Sequence, residues 1–499
     1  MESGGANGED GELRGRALLK VVGSALGHRT GNRYPCVRAA GMVRPGRAPS
    51  TTPAVSVGPM SVLCPGGNDG PCTRPIRYTI IRSAMSAARS VSPSVPASHP
   101  GGLAFRWYRK IEDIAGPWRL CFGDQDVLRS YELHLAVERS NLPDVELHYL
   151  VGEDSGGVCC VVPCYVGRAS LLTLANPVLQ ALVDGIRRVF RGFLWVDLFV
   201  VGSPVSTCGN VLGFRKFEDS RRWDAAAVTA VFDEVFRQAR RLNTGLIVVK
   251  ELEPHLADSL KARLRRPLLY VPSLPTTYLA VAPKEKGGYV DSICSKYRNK
   301  LKKRKAVAAA SGIAWEVVPD CRGLEAEVFD LYRQVLENSD FVFERANREF
   351  FSRVCEALGD KAFFVMGFQG AGAGRKLVSF ELVMHDGQRL QPFYSGFDYR
   401  VKQLTDIYFN VFYALIEEAE RRGLPEVHLC QTAYEVKAEL GATCHPLFFA
   451  VYHRRAWIRW GLRRVQGWLT PACKFPEREV FKIPPAPKKT RPAAGKPAA

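Results

Sequence analysis

The chain has 499 residues, is 46% hydrophobic and carries a formal charge of +19, enough apolar material for two or three domains with their own cores. The charge is uneven: residues 1–100 hold 12 Lys/Arg against 5 Asp/Glu, residues 454–499 hold 12 against 2, and residues 101–453 are close to neutral at 45 against 43. A near-neutral body argues against nucleic-acid binding as the main activity, and no specific DNA binding is expected.

Residues 1–102 are rich in Gly, Pro, Ser and Arg without sustained periodicity, a texture that reads as disorder. The short apolar piece "ALLKVVGSALG" contains Lys20 and makes a poor signal peptide. Met85 opens the last part of this stretch, so a native start there is an expectation that an N-terminal mass would check. No run approaches 18 apolar residues, and no membrane-spanning helix is expected.

Order is expected to begin near Phe105. "VELHYLVG", "GVCCVVPCYVG" and "FLWVDLFVVG" read as strands, and "WDAAAVTAVFDEVFRQARRLN" as a helix with an apolar stripe at Val228, Phe232, Val235, Phe236 and Ala239. Strand "GLIVVKEL", helix "PHLADSLKARL" and strand "TTYLAVA" follow. Cys159, Cys160 and Cys164 lie in a strand whose neighbours point to opposite faces, so they read as buried thiols and no metal ligand set is expected.

Residues 295–305, "SKYRNKLKKRK", pack seven Lys or Arg into eleven positions. The spacing predicts a helix, capped at Asp291 or Ser292 and ended by Gly312, with Ile293, Tyr297 and Leu301 facing the core. Its charges are either a solvated face or a stripe that meets an anionic ligand, since like charges on a short helix repel.

Beyond it, "KAFFVMGFQ", "KLVSFELVMH" and "RLQPFYSGF" read as strands, and "GAGAGR" between the first two as a hairpin loop. "TDIYFNVFYALIEEAERRG" reads as a helix with Thr405 or Asp406 as N-cap and Gly423 as its stop. Strand "EVHLCQ", helix "AYEVKAELG" and strand "PLFFAVYH" close the block. Strand, long helix, strand, short helix, strand therefore occurs twice. The expected class is α+β, with two units over 103–288 and 289–453, each a mixed, mostly antiparallel sheet with packed helices. In 454–470, Trp457, Ile458, Trp460, Leu462, Val465 and Trp468 form an apolar side against Arg454, Arg455, Arg459, Arg463 and Arg464. That helix reads either as an anchor on an anionic membrane surface or as packed on the body. Residues 471–499 read as a disordered tail.

The order from the basic helix through "PFYSGFDYRVKQLTDIYF" to "QTAYEVKAELGA" resembles the Fem-type peptidoglycan aminoacyltransferases and their FemAB-like relatives in the GNAT superfamily. It covers roughly 290–453 well; 105–285 fits the family's first unit by element order only. The resemblance implies tandem GNAT-like units and transfer of an acyl or aminoacyl group, from acyl-CoA or aminoacyl-tRNA, onto an amine of a cell-envelope acceptor. No permanently bound cofactor is implied. A phosphate-bearing substrate, tRNA as donor carrier and a cytoplasmic location, at the inner membrane face if 454–470 anchors there, follow as expectations. On this chain's residues, it implies phosphate binding by Arg298 and Lys302, and ligand contacts from Tyr394, Ser395, Tyr434 and Thr405 at a helix N-terminus. Asp398 would take the proton from the attacking amine, or else cap a turn with Tyr399; Lys437 would stabilise the oxyanion or orient the acyl donor, or else lie on a solvated helix face. Where acetyl-CoA-using relatives have a glycine-rich turn, this chain reads "RVKQLT", which leaves the donor open, as does the alternative of a non-catalytic binding protein.

Overall fold

The computed structural model describes residues 97–98, 102–170, 195–215, 225–264, 266–339, 345–469 and 475–482, with a few positions between 183 and 188. In chain order the first elements are β1 (Ala97–Ser98), β2 (Ala104–Tyr108), α1 (Ala115–Phe122), α2 (Tyr131–Arg139), β3 (Val145–Asp154) and β4 (Gly157–Ser170). Next come β5 (Trp195–Val201), β6 (Gly213–Phe214), α3 (Ala225–Arg241), β7 (Leu246–Leu252), α4 (Pro254–Arg263), β8 (Leu269–Pro272) and β9 (Thr276–Ala280). They are followed by α5 (Gly288–Ser292), α6 (Ser295–Ala310), β10 (Ile313–Val318), α7 (Glu325–Glu337), α8 (Arg348–Leu358), β11 (Ala362–Gln369) and β12 (Lys376–His385). The last are β13 (Arg389–Phe397), α9 (Tyr399–Thr405), α10 (Ile407–Arg422), β14 (Glu426–Cys430), α11 (Tyr434–Glu439), β15 (Thr443–His445), β16 (Phe448–His453) and α12 (Ala456–Leu469).

The strands form two mixed sheets. The first runs β1-β2-β3-β4-β5-β7-β16-β8, with β6 beside β4; the second runs β10-β11-β12-β13-β14-β9-β15. Each has one parallel pair, β5 with β7 and β13 with β14, and is otherwise antiparallel. Both units are thus α+β with a mostly antiparallel sheet, as expected.

Alternation along β11 and β12 explains why both read as nearly continuous apolar runs. Phe363, Val365, Val378 and Val383 face α10, where Val411, Leu415 and Ile416 close one core. Phe364, Met366, Phe380 and Leu382 face α7 and α8, whose Val328, Leu331, Phe350 and Val354 close another. A strand covered on both faces keeps no polar side. In the first unit the stripe of α3 is buried as predicted, with Val228, Phe232, Val235, Phe236 and Ala239 in one core. The hairpin at "GAGAGR" is present as a single turn at Gly372–Gly374, and Gly423 ends α10 at φ 68°.

Three expected boundaries differ. The sheets do not divide near 288. The chain enters the second sheet at β9 and returns to the first at β16, because β8 pairs with β16 and β9 with β15 as one ribbon. Ser273 N–H donating to Leu447 O at 2.8 Å closes this ribbon between the sheets. Ala97 and Ser98, placed by the sequence in a disordered stretch, pair with Phe105 and Ala104. Part of the supposed tail is also seated. Val480 is buried, Cys294 N–H donates to its carbonyl at 2.8 Å, and Lys482 N–H donates to Ser292 O at 2.9 Å. The pair Val480–Phe481 supplies the apolar grip that the surrounding Pro/Lys composition hides. The expectations for 1–96 and 483–499 lie outside the described residues.

One tight spot gives a test of the packing. A Cβ at Gly396 would stand 2.2 Å from Phe380 Cε1 and 2.8 Å from Leu331 Cβ. Gly396→Ala should destabilise the protein by about 1–3 kcal/mol, as overpacking does, read as a lower urea midpoint at unchanged slope.

Candidate active site

β13 and β14 run parallel but pair only at Arg389–Glu426 and Leu390–Val427. Their C-terminal ends are therefore not bonded to each other, unlike β5 and β7, which pair at four positions. The widened end is occupied by polar side chains. Cys430 Sγ donates to Pro392 O of β13 at 3.3 Å. Glu381, opposite Ser395 in the β12–β13 register, is buried. Its Oε2 has no hydrogen-bond partner. Burial pushes its carboxyl up to about 7, against the opposing pull of the Ser395 hydroxyl and of Lys437.

Lys437, on α11, is also buried, and its Nζ donates to Gln431 O at 2.5 Å. Burial lowers its ammonium to about 8, while nearby Cys430, Cys208 and Glu381 work in the opposite direction. Burial thus moves the proton affinities of a carboxyl and an ammonium toward neutral pH, the condition under which both can exchange protons near pH 7.

The first unit supplies the facing wall. Glu251, at the end of β7, accepts from Ser206 Oγ at 2.5 Å and from the Thr207 backbone N–H at 3.1 Å. Ser206 Oγ also reaches Gln431 Oε1 at 3.3 Å, so the two units are hydrogen-bonded here. Backbone strain collects at the same place. Of nine non-glycine residues at positive φ among the described residues, five are Cys208, Glu251, Cys430, Thr432 and Ala433. Each costs on the order of 1–3 kcal/mol and persists where surrounding structure fixes it, a pattern concentrated at functional sites.

The sequence-predicted residues divide. Lys437 and Ser395 belong to this cluster. Asp398 does not serve as the expected base: it is the N-cap of α9 and accepts from Arg400 Nη2 at 2.7 Å and Lys376 Nζ at 2.6 Å. The Arg400 guanidinium, with Lys376, holds its carboxyl well below the usual range, so it is a weak proton acceptor. Thr405 is not an exposed N-cap; it ends α9, is buried, and its hydroxyl donates to Val401 O at 2.8 Å. Tyr394 packs edge-on against Tyr332, Phe350 and Phe351 in the aromatic core. Tyr434 donates its hydroxyl to Pro275 O at 2.8 Å and ties α11 to the inter-sheet ribbon.

The basic helix is α6, starting after Cys294, not at the expected Asp291 or Ser292 cap. Arg298 donates to the carbonyls of Val290 and Ile293 at 3.1 Å each and so closes the end of α5, not a phosphate pocket. Lys300 and Arg304 pair with Glu439 at 3.1 and 2.7 Å, and Lys305 pairs with Glu417. Lys302 is exposed. Three of the seven charges thus pair with two acids, Glu439 and Glu417, that lie more than a hundred residues away in sequence.

Reading the sequence missed Glu381, although a lone acid inside the apolar strand "KLVSFELVMH" was the available signal. It also missed the neighbouring Cys208, His428 and Cys430, which could hold a metal. Two sizeable surface clefts, one lined by Lys296, Tyr297 and 476–479 and the other by Asp320, Arg322, Cys355 and Arg422, include none of these buried groups.

Residues 295–438 match the family described as acetyltransferase (GNAT) domain. Within the second unit, these residues are thus similar to a GNAT acetyltransferase domain. Among solved structures the chain is similar to FemX, at 11% identity over 72% of this chain and 99% of that one, TM-score 0.45. It is also similar to the C-terminal domain of a putative lysylphosphatidylglycerol synthetase from Agrobacterium fabrum (10%, 71% and 97%, TM-score 0.42). A tandem GNAT protein from the clavulanic acid biosynthesis pathway is a third (12%, 70% and 98%, TM-score 0.40). No curated protein matches the chain in sequence.

The raised Glu381 carboxyl has a consequence for stability. A group whose proton is held more tightly in the folded state stabilises it fully below the unfolded value, and this contribution is lost as pH rises through about 7. Relative to Glu381→Gln, the wild type should lose on the order of 3 kcal/mol between pH 4.5 and 8, measured by urea unfolding across that range.

Proposed function

We propose that this GNAT protein is an N-acyltransferase in which Glu381 is the general base and Lys437 the cationic partner. The observation that carries the reading is the buried Glu381 carboxyl, one oxygen without a partner, beside the buried Lys437 at the splayed ends of β13 and β14. The amine of the acceptor attacks the carbonyl carbon of the donor ester or thioester. A C–N amide bond forms as the C–O or C–S bond breaks; the amine proton passes to Glu381 and then to the leaving oxygen or sulfur. The Lys437 ammonium offers a charge-assisted hydrogen bond to the oxyanion, the largest single contribution in such reactions.

The donor is read as an aminoacyl ester, such as aminoacyl-tRNA, in preference to acyl-CoA. Where a glycine-rich turn would cradle a pyrophosphate, "YRVKQLT" forms α9 and Asp406 joins it to α10, so the backbone N–H groups of that stretch are largely engaged in helices. The acceptor is read as an envelope amine at an anionic membrane face. Of the two readings of 454–470, the exposed one fits α12: Trp457 and Trp460 are 65% and 56% exposed, and Arg464 lies 4.9 Å over the Trp460 ring. Among the described residues no helix is long and apolar enough to cross a membrane, so contact would be at the surface.

With aminoacyl-tRNA and an amine acceptor, Glu381→Gln should lower kcat by about 10²–10⁴-fold while donor affinity holds, and the wild-type rate should rise with pH to a plateau just above 7. Retention of activity in Glu381→Gln would remove the reading, and turnover of acetyl-CoA in place of the ester would reverse the donor assignment. Vesicles containing phosphatidylglycerol should pellet the wild type and not Trp457→Ala/Trp460→Ala; equal pelleting would end the membrane assignment.

A further inference from the structure

β14 breaks register against β9 between His428 and Cys430, and Cys430 takes a left-handed backbone at φ 59°. Cys208, at φ 54° in the loop after β5, meets this bulge from the first unit. One donor atom from each of Cys208, His428 and Cys430 lies within 4.8 Å of the other two. The set joins residues 220 positions apart in sequence and both sheets, and it takes no part in the proton transfers described above.

We propose that Cys208, His428 and Cys430 form a binding site for a thiophilic divalent cation of the zinc class, which ties the two sheets together. Two thiolates and an imidazole are the donors such an ion prefers. A tetrahedral ion with metal–sulfur bonds of about 2.3 Å sets the sulfurs about 3.8 Å apart, within the present spacing.

The imidazole carries a second, independent observation. His428 is buried; its Nε2 stands 2.7 Å from Thr276 Oγ1, and its Nδ1 has no hydrogen-bond partner. Donation of Nε2–H to Thr276 leaves the Nδ1 lone pair unshared, which is how a ligating histidine is held by an outer hydroxyl or carbonyl. Tyr278 stacks on the ring with centroids 4.3 Å apart and the planes 10° from parallel, fixing its plane.

Loading the site releases two thiol protons to solvent, so a 2+ ion, two thiolates and a neutral imidazole sum to zero charge. The neighbouring Lys437 ammonium is therefore not repelled by an occupied site. Three protein donors leave one coordination position for an exchangeable ligand.

The test uses full-length protein, reduced and stripped with chelator, titrated with Co²⁺ alone. One equivalent should bind with thiolate-to-cobalt absorption and tetrahedral d–d bands, and Zn²⁺ should displace it. Cys208→Ser and Cys430→Ser should each abolish the thiolate band or weaken binding by more than about 100-fold, and Thr276→Val should weaken it by roughly 10–100-fold. Zn²⁺ should raise the melting temperature of the wild type; this arm and Thr276→Val decide the matter if a cysteine variant does not fold. The same cobalt spectrum in wild type and Cys208→Ser/Cys430→Ser would overturn the site. So would a Cys208–Cys430 disulfide formed in air by a protein whose reduced form takes up no metal.

Discussion

The two-stranded ribbon that crosses between the sheets is the constraint on which the rest depends. β8 and β9 run outward from the first sheet to the second, β15 and β16 run back, and the two legs stay paired throughout. Neither sheet can be completed without a strand from the other half of the chain. The ribbon also sets the polar cluster: Thr276 and Tyr278 hold His428, Pro275 holds Tyr434, and Leu274 O accepts from Gln431 Nε2 at 2.8 Å. A displaced ribbon would move every one of these groups at once.

Around it, charge is managed in two opposite ways. On the outside of the second unit, Glu439 gathers Lys300, Arg304 and Arg478, which offsets part of the repulsion along a helix with seven basic residues. Inside, burial of Glu381 and Lys437 moves their proton affinities toward each other. The first arrangement serves stability. The second costs stability and furnishes the acid–base pair of the proposed reaction, and the left-handed residues beside it add to the cost.

Much of the fold was legible in the sequence because hydrophobic periodicity is local. The stripe of α3, the stop at Gly423 and the hairpin at "GAGAGR" all stand as read. What was not legible is non-local. The partners of Arg298, Lys300 and Arg304 are backbone carbonyls of the preceding helix and a glutamate some 135 residues onward, so a run that looks like a ligand grip is mostly internal pairing. Asp398 sits at the place the family pattern marks, yet two cations that the pattern does not report remove its basicity. Lys437 was found through the resemblance and not through its burial, which no short motif records. The exchange of β9 and β16 was invisible because strand order, unlike strand existence, is decided by tertiary pairing.

The proposed chemistry stands on Glu381 as a proton-exchanging group near neutral pH. Carbon-13 NMR of protein labelled at glutamate side-chain carboxyls tests it most directly. One resonance should titrate near pH 7 and be missing from Glu381→Gln, while the exposed glutamates titrate in their usual acidic range. If every glutamate carboxyl titrates below about pH 5, with none altered near neutrality, Glu381 is not the base.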